Sequence, residues 1–113
     1  MTTSFQSTTI TWEEYASNLP TTAKDTEKLM AAMSYMFENE QIESADTSIV
    51  LDSYFRRAHW SRPVNLSATA NYCASKGWLS EVAKTQGRKI WRLTHKGYEA
   101  MKKRLFPSTA QEN

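Results

Sequence analysis

The sequence is poor in the residues from which many small proteins build their chemistry. A single cysteine, Cys73, among 113 residues excludes an internal disulfide. Two histidines, His59 and His95, stand far apart and supply no ligand set with zinc spacing, so neither a metal nor another cofactor is expected. Neither histidine has a motif partner, Glu13 and Glu14 are neighbours that cannot face one another across a substrate, and the three glycines form no phosphate-cradling loop. These gaps argue against an enzyme. No apolar run approaches the roughly 20 residues that a membrane span requires. The opening "MTTSFQSTTITWEE" has neither the basic start nor the apolar segment of a secretory leader. A cytoplasmic protein with no membrane partner is expected.

What is present is ordinary in amount and unusual in distribution. Hydrophobic residues at 40% and charged residues at 23% are globular values, and 113 residues suffice for one domain with one modest core. The net charge of +2, however, hides a division near Tyr54. Up to that residue Lys24 and Lys28 face nine acids, a net of −7; from Phe55 onward twelve Lys and Arg face Glu81, Glu99 and Glu112, a net of +9. Such asymmetry predicts one surface for a polyanion and another that repels it.

The hydrophobic pattern predicts a mainly α chain with a small β-hairpin. Residues 1 to 20 read as a Ser/Thr-rich arm with a short helix over about 12 to 18, opened by a Thr11 and Glu14 capping box and closed before Pro20. Residues 21 to 106 read as the folded domain, and residues 107 to 113 as a disordered polar tail. Thr21 or Thr22 can cap a helix over about 23 to 39, with Leu29, Met33, Met36 and Phe37 on one buried stripe. After the polar link "NEQIES", Asp46 or Thr47 caps a third helix to about Ala58, with Leu51, Phe55 and Ala58 on one face and Val50 and Tyr54 beside it. A break containing Pro63 precedes a helix over about 66 to 76, capped by Asn65 or Ser67, with Leu66, Ala70 and Cys73 inward and Gly77 as a left-handed stop. Strands over 78 to 83 and 88 to 93, joined by "KTQG", lead to a last helix capped by Thr94 that ends before Pro107.

The run "NLSATANYCASKGWLSEV…GRKIWRLTHKGYEAM" resembles the winged helix-turn-helix of regulators of the PadR and MarR type. Lys76-Gly77-Trp78-Leu79 matches the end of their recognition helix, and Trp91-Arg92-Leu93-Thr94-His95-Lys96-Gly97 matches their aromatic-x-Leu-Thr-x-x-Gly entry to the following helix. The resemblance implies a three-helix core, a two-stranded wing, a C-terminal helix and, here, a short extra N-terminal helix. It also implies a recognition helix in the major groove of double-stranded DNA, offering Ser67, Ala68, Asn71, Tyr72, Ser75 and Lys76, with Asn71 the candidate reader of an adenine edge. Lys84, Gln86, Arg88, Lys89 and Arg92 would form the wing's basic surface, and Arg56, Arg57 and Arg62 further phosphate contacts. A transcriptional regulator follows, nucleoid-associated when bound to DNA.

Apolar side chains beyond the needs of a minimal winged helix, namely Trp12, Tyr15, Leu105 and Phe106, predict a homodimer or another partner contact, the alternative cover for Trp12 and Tyr15 being the domain's own core. The outward face of the recognition helix lacks an Arg for guanine. The competing expectation is therefore a protein-protein adaptor that uses the acidic N-terminal half as its contact surface.

Overall fold

The computed structural model describes residues 10 to 105, the last by its backbone alone. The expected tail, Phe106 and the first nine residues of the expected arm lie outside the described residues, as does the Leu105 side chain. Helix α1 (Trp12–Ala16) opens with the expected capping box: the Glu14 N–H donates to the Thr11 hydroxyl at 3.1 Å, and the Thr11 N–H to the Glu14 carboxylate at 3.2 Å. Trp12 and Tyr15, expected at a partner surface, lie in the chain's own core at 0% and 3% exposure. The indole N–H donates to the Tyr54 carbonyl at 2.7 Å, and the Trp12 ring sits among Tyr35, Tyr54 and Trp60 with centroids 5.3 to 5.5 Å away. Helix α1 is thus part of the packed unit and not of an arm, and these two residues no longer argue for a dimer.

Helix α2 (Asp25–Asn39) begins after the threonines expected to cap it; the Lys24 N–H is accepted instead by Glu27 at 3.0 Å. Every residue from Leu29 to Met36 is buried, so α2 has no solvent stripe along this stretch. The cause is its central place: α1, α4, α5, the strand β3 described below and the helical segment before Arg56 all pack against it. Phe37, expected in the stripe, is 42% exposed at the helix end, where its ring meets Tyr98 edge-on at 5.6 Å.

The link "NEQIES" runs at its last residue into an unexpected strand, β1 (Ser44–Ala45). Asp46 then caps α3 (Thr47–Ile49), accepting from the Ile49 N–H at 3.0 Å, and the chain continues as a π-helix over Val50–Phe55. The wider turn brings Val50, Tyr54 and Phe55 into the core together and leaves Leu51 and Ala58 half-buried. After the break, Asn65 caps α4 (Leu66–Ser75) by accepting from the Ala68 N–H at 3.0 Å, and Gly77 at φ +83° ends it. Leu66, Ala70 and Cys73 face the core as expected.

The hairpin strands are β2 (Leu79–Thr85) and β3 (Arg88–Leu93), joined by Gln86 and Gly87 alone. Both turn residues have positive φ, +53° and +80°, so a two-residue turn of the kind that matches strand twist replaces the four-residue loop expected from "KTQG". All strands are antiparallel in the order β1-β3-β2, with Ala45 opposite Trp91 and a bulge between Glu81 and Ala83. Thr94 then locks the next junction. Its hydroxyl donates to the Gly77 carbonyl at 2.6 Å and accepts from the Gly97 N–H at 3.0 Å, opening α5 (His95–Leu105).

Gly97 allows α5 to lie against the backbone at Trp78. A methyl group there would stand 2.3 Å from the Trp78 carbonyl oxygen and 2.9 Å from the Met30 terminal carbon. Gly97→Ala is expected to destabilise the fold by about 2 kcal/mol, read as a lowered urea midpoint at unchanged m. Five helices and a three-stranded antiparallel sheet, a small α+β arrangement, make up the described residues. None of these helices is long and apolar enough to cross a membrane.

Candidate nucleic-acid interface

Helix α4 turns three small apolar side chains inward, and the 100° step of the helix distributes the rest. Ala68 and Ser75 stand farthest from the core, Asn71 flanks them on one side, and Tyr72 and Lys76 flank them on the other. All of these are exposed, as is Ser67. The Ser75 hydroxyl donates back to the Tyr72 carbonyl at 2.6 Å, which commits its proton to the helix. The Lys76 ammonium lies 5.4 Å from the Tyr72 ring centroid and keeps that ring to one side of the helix.

The hairpin reaches α4 on the Asn71 side. Lys89 donates from Nζ to Asn71 Oδ1 at 3.1 Å, and its ammonium also lies 5.6 Å from the Trp91 ring centroid and 3.9 Å from the Glu81 carboxylate. Opposite residues in an antiparallel pair share a face, so Lys89, Trp91 and Leu93 stand with Lys84, Glu81 and Leu79 on the side whose inner end is core. Arg88, Ile90 and Arg92 stand on the other side.

Structure separates the expected cations by what already holds them. Arg57 is bound in two places to Glu13, at 3.2 and 3.3 Å, which holds the Glu13 carboxyl below its usual range; this cation fastens α3's continuation to α1 and is withdrawn from the phosphate contacts. Arg62 lies 3.9 Å from Asp52 in a fully surface setting, a pair that holds it only loosely. Arg88 lies 3.9 Å from Asp46 and donates to the Ser48 hydroxyl at 3.4 Å. The Asp46 carboxyl is itself held low, first by the Ser48 hydroxyl that donates to it and then by the Ile49 N–H, against the opposing effect of burial. Arg56, Lys84 and Arg92 form no ion pair among the described residues, and Gln86 tips the exposed turn.

These pairs revise the meaning of the charge division. Arg57–Glu13, Arg62–Asp52, Arg88–Asp46 and Arg104–Glu27 each join a base of the second half to an acid of the first. Part of the sequence asymmetry is therefore neutralised within the fold. Among the described residues, the second half's cations without an ion pair are spread over the hairpin (Lys84, Arg92), the end of α4 (Lys76) and α5 (Lys96, Lys102, Lys103), with Arg56 beside the π-helical segment. Lys96, which the sequence placed only within the Trp91 to Gly97 motif, lays its aliphatic stem on Gly77 and brings a further cation to the carboxyl end of α4. Its signal was its place in the first turn of α5, one residue before Gly97.

Cys73 is fully enclosed on the inner face of α4, and burial raises its thiol to about 11. At pH 8 the native thiol is expected to resist a disulfide reagent such as dithionitrobenzoate, with one equivalent appearing only in denaturant; full reaction of the native protein would place Cys73 at the surface. Among the described residues no three of His, Cys, Asp and Glu form a cluster able to hold a metal. No family model, no curated protein and no solved structure matches the chain.

Proposed function

We propose that the protein is a winged helix-turn-helix DNA-binding protein, a transcriptional regulator in which α4 enters the major groove and the β2–β3 hairpin lies along the phosphate backbone. Support comes first from the order of elements: a three-helix core of α2, α3 and α4, then the hairpin, then α5. It comes next from the Thr94 junction, since the two motifs that carried the resemblance, around Gly77 and Gly97, meet through one hydroxyl.

The observation that carries the reading is the pairing of Lys84 with Lys89 directly across the hairpin. Like charges opposite one another destabilise a sheet, and Arg88 adds a further cation on the other face, one residue nearer the turn. A surface that concentrates cations against its own stability gains from a polyanion laid on it, and a duplex supplies one charge about every 1.7 Å of its axis. The exposed, uncharged Ser67, Ala68 and Asn71 beside that hairpin suit a helix that meets base edges while its neighbour meets phosphates.

The test is fluorescence anisotropy with a labelled random duplex across roughly 50 to 200 mM salt, where several phosphate contacts lose orders of magnitude in affinity. A steep negative slope supports the reading; no binding at the low end removes it. In that event the adaptor reading takes its place, favoured by exposed Phe37 and Ile42 beside Glu38, Glu40 and Glu43, and a Phe37→Ala, Ile42→Ala variant should then lose a captured partner.

A further inference from the structure

Asn71 was expected to read adenine, because a free carboxamide offers one acceptor and one donor side by side, as adenine's N6 and N7 edge requires. In the folded protein the carboxamide is not free. Its Oδ1 accepts from the Lys89 ammonium at 3.1 Å, which fixes the amide so that Nδ2 and its two protons are the unclaimed end. The ammonium is held in place by three neighbours: Asn71 itself, the Trp91 ring face at 5.6 Å, and Glu81 at 3.9 Å. Glu81 makes an ion pair without a hydrogen bond, so Lys89 retains two N–H groups for a further acceptor. Its side chain is 40% exposed and Asn71 is exposed, so both face solvent on the flank of α4 next to the hairpin.

We infer that Lys89 and Asn71 act as one composite donor that selects guanine in the major groove. This rests on the DNA-binding reading above and deepens it. Guanine presents two acceptors there, N7 and O6, whereas adenine presents N7 and the N6 amino group. A fixed ammonium beside the amide attracts the first pattern and repels the amino protons of the second. The pair supplies from two residues what the missing Arg supplies from one in ordinary guanine readers. Lys89 is thereby a specificity residue, and Lys84 and Arg88 remain the phosphate contacts.

The experiment is binding selection from a randomised duplex pool at about 100 mM salt, followed by sequencing, with wild type, Lys89→Ala and Asn71→Ala. Wild type is expected to enrich guanine at one position of the site by about tenfold over adenine. Replacing that base with 7-deazaguanine, which lacks the N7 acceptor, should remove the gain. In Lys89→Ala the freed carboxamide should shift the same position to adenine, and in Asn71→Ala the position should lose preference. Melting curves matching wild type show that the surface changes leave the fold intact. Enrichment of adenine by wild type, no preference at any position, or a guanine preference unchanged in Lys89→Ala would each overturn the inference while leaving salt-dependent DNA binding in place. Absence of binding to any duplex would instead remove the reading on which it rests.

Discussion

Trp12→Ala is expected to destabilise the protein by about 4 kcal/mol, a large share of the roughly 5 to 15 kcal/mol that holds a domain of this size. The indole is wholly enclosed and touches the aromatic rings of Tyr35, Tyr54 and Trp60, so truncation leaves a cavity whose walls belong to α2, the π-helix and the turn after it. Those walls cannot close together without moving α2, the π-helical segment and the turn at Trp60 at once. Trp12→Phe separates the ring from its hydrogen bond. The Tyr54 carbonyl also accepts from the Ala58 N–H at 3.1 Å, so loss of the indole donor should cost only about 1 kcal/mol. Urea denaturation followed by circular dichroism measures both, and equal losses in the two variants would show that the ring packing contributes little.

The double variant Lys84→Ala, Arg88→Ala is expected to weaken duplex binding about a hundredfold at 0.1 M salt and to flatten the salt dependence by about two units of slope. Each phosphate contact releases about 0.9 of a counterion, and the loss should be the same on every duplex sequence, since phosphates carry no base identity. Arg88 is held by Asp46 at 3.9 Å, but more than half of its side chain is exposed, and an exposed ion pair of that length is weak enough to exchange for a phosphate. Anisotropy titrations over the same salt range give slope and affinity together. An unchanged slope would move the phosphate contacts to Arg56, Lys76 and Lys96.

Legibility from the sequence followed the range of the interactions involved. Caps were legible where the side chain closes a ring within three residues, outright at Thr11 and Thr94 and as one of two candidates at Asp46 and Asn65. Lys24 escaped because its backbone, not its side chain, is the partner of Glu27. The inner face of α4 was legible because the helix is covered on one side, whereas on α2 the stripe of Leu29, Met33 and Met36 was legible but the burial of every residue between them was not. Strand β1 is two residues long and exists only because β3, far along the chain, offers it hydrogen bonds. The same limit applies to the candidate site. Spacing put Asn71, Lys84, Arg88 and Lys89 on solvent-facing elements, but the grip of Lys89 on Asn71 and of Glu13 on Arg57 are tertiary contacts without a local signature. Trp12 marks the same limit: the sequence left its cover open between the core and a partner, because its pocket is assembled from residues 35, 54 and 60.

The central position of α2 also sets a timetable for synthesis. Its residues leave the ribosome before the side chains that cover them: Leu66 and Cys73 on α4, Trp91 and Leu93 on β3, Met101 on α5. Until α5 has emerged, α2 carries a run of uncovered apolar side chains from Leu29 to Met36 with only α1 and the segment before Arg56 to shield it. A stop codon placed after Leu93 should therefore yield a product that is degraded rather than a smaller folded protein, since α2 would lack the cover of α5.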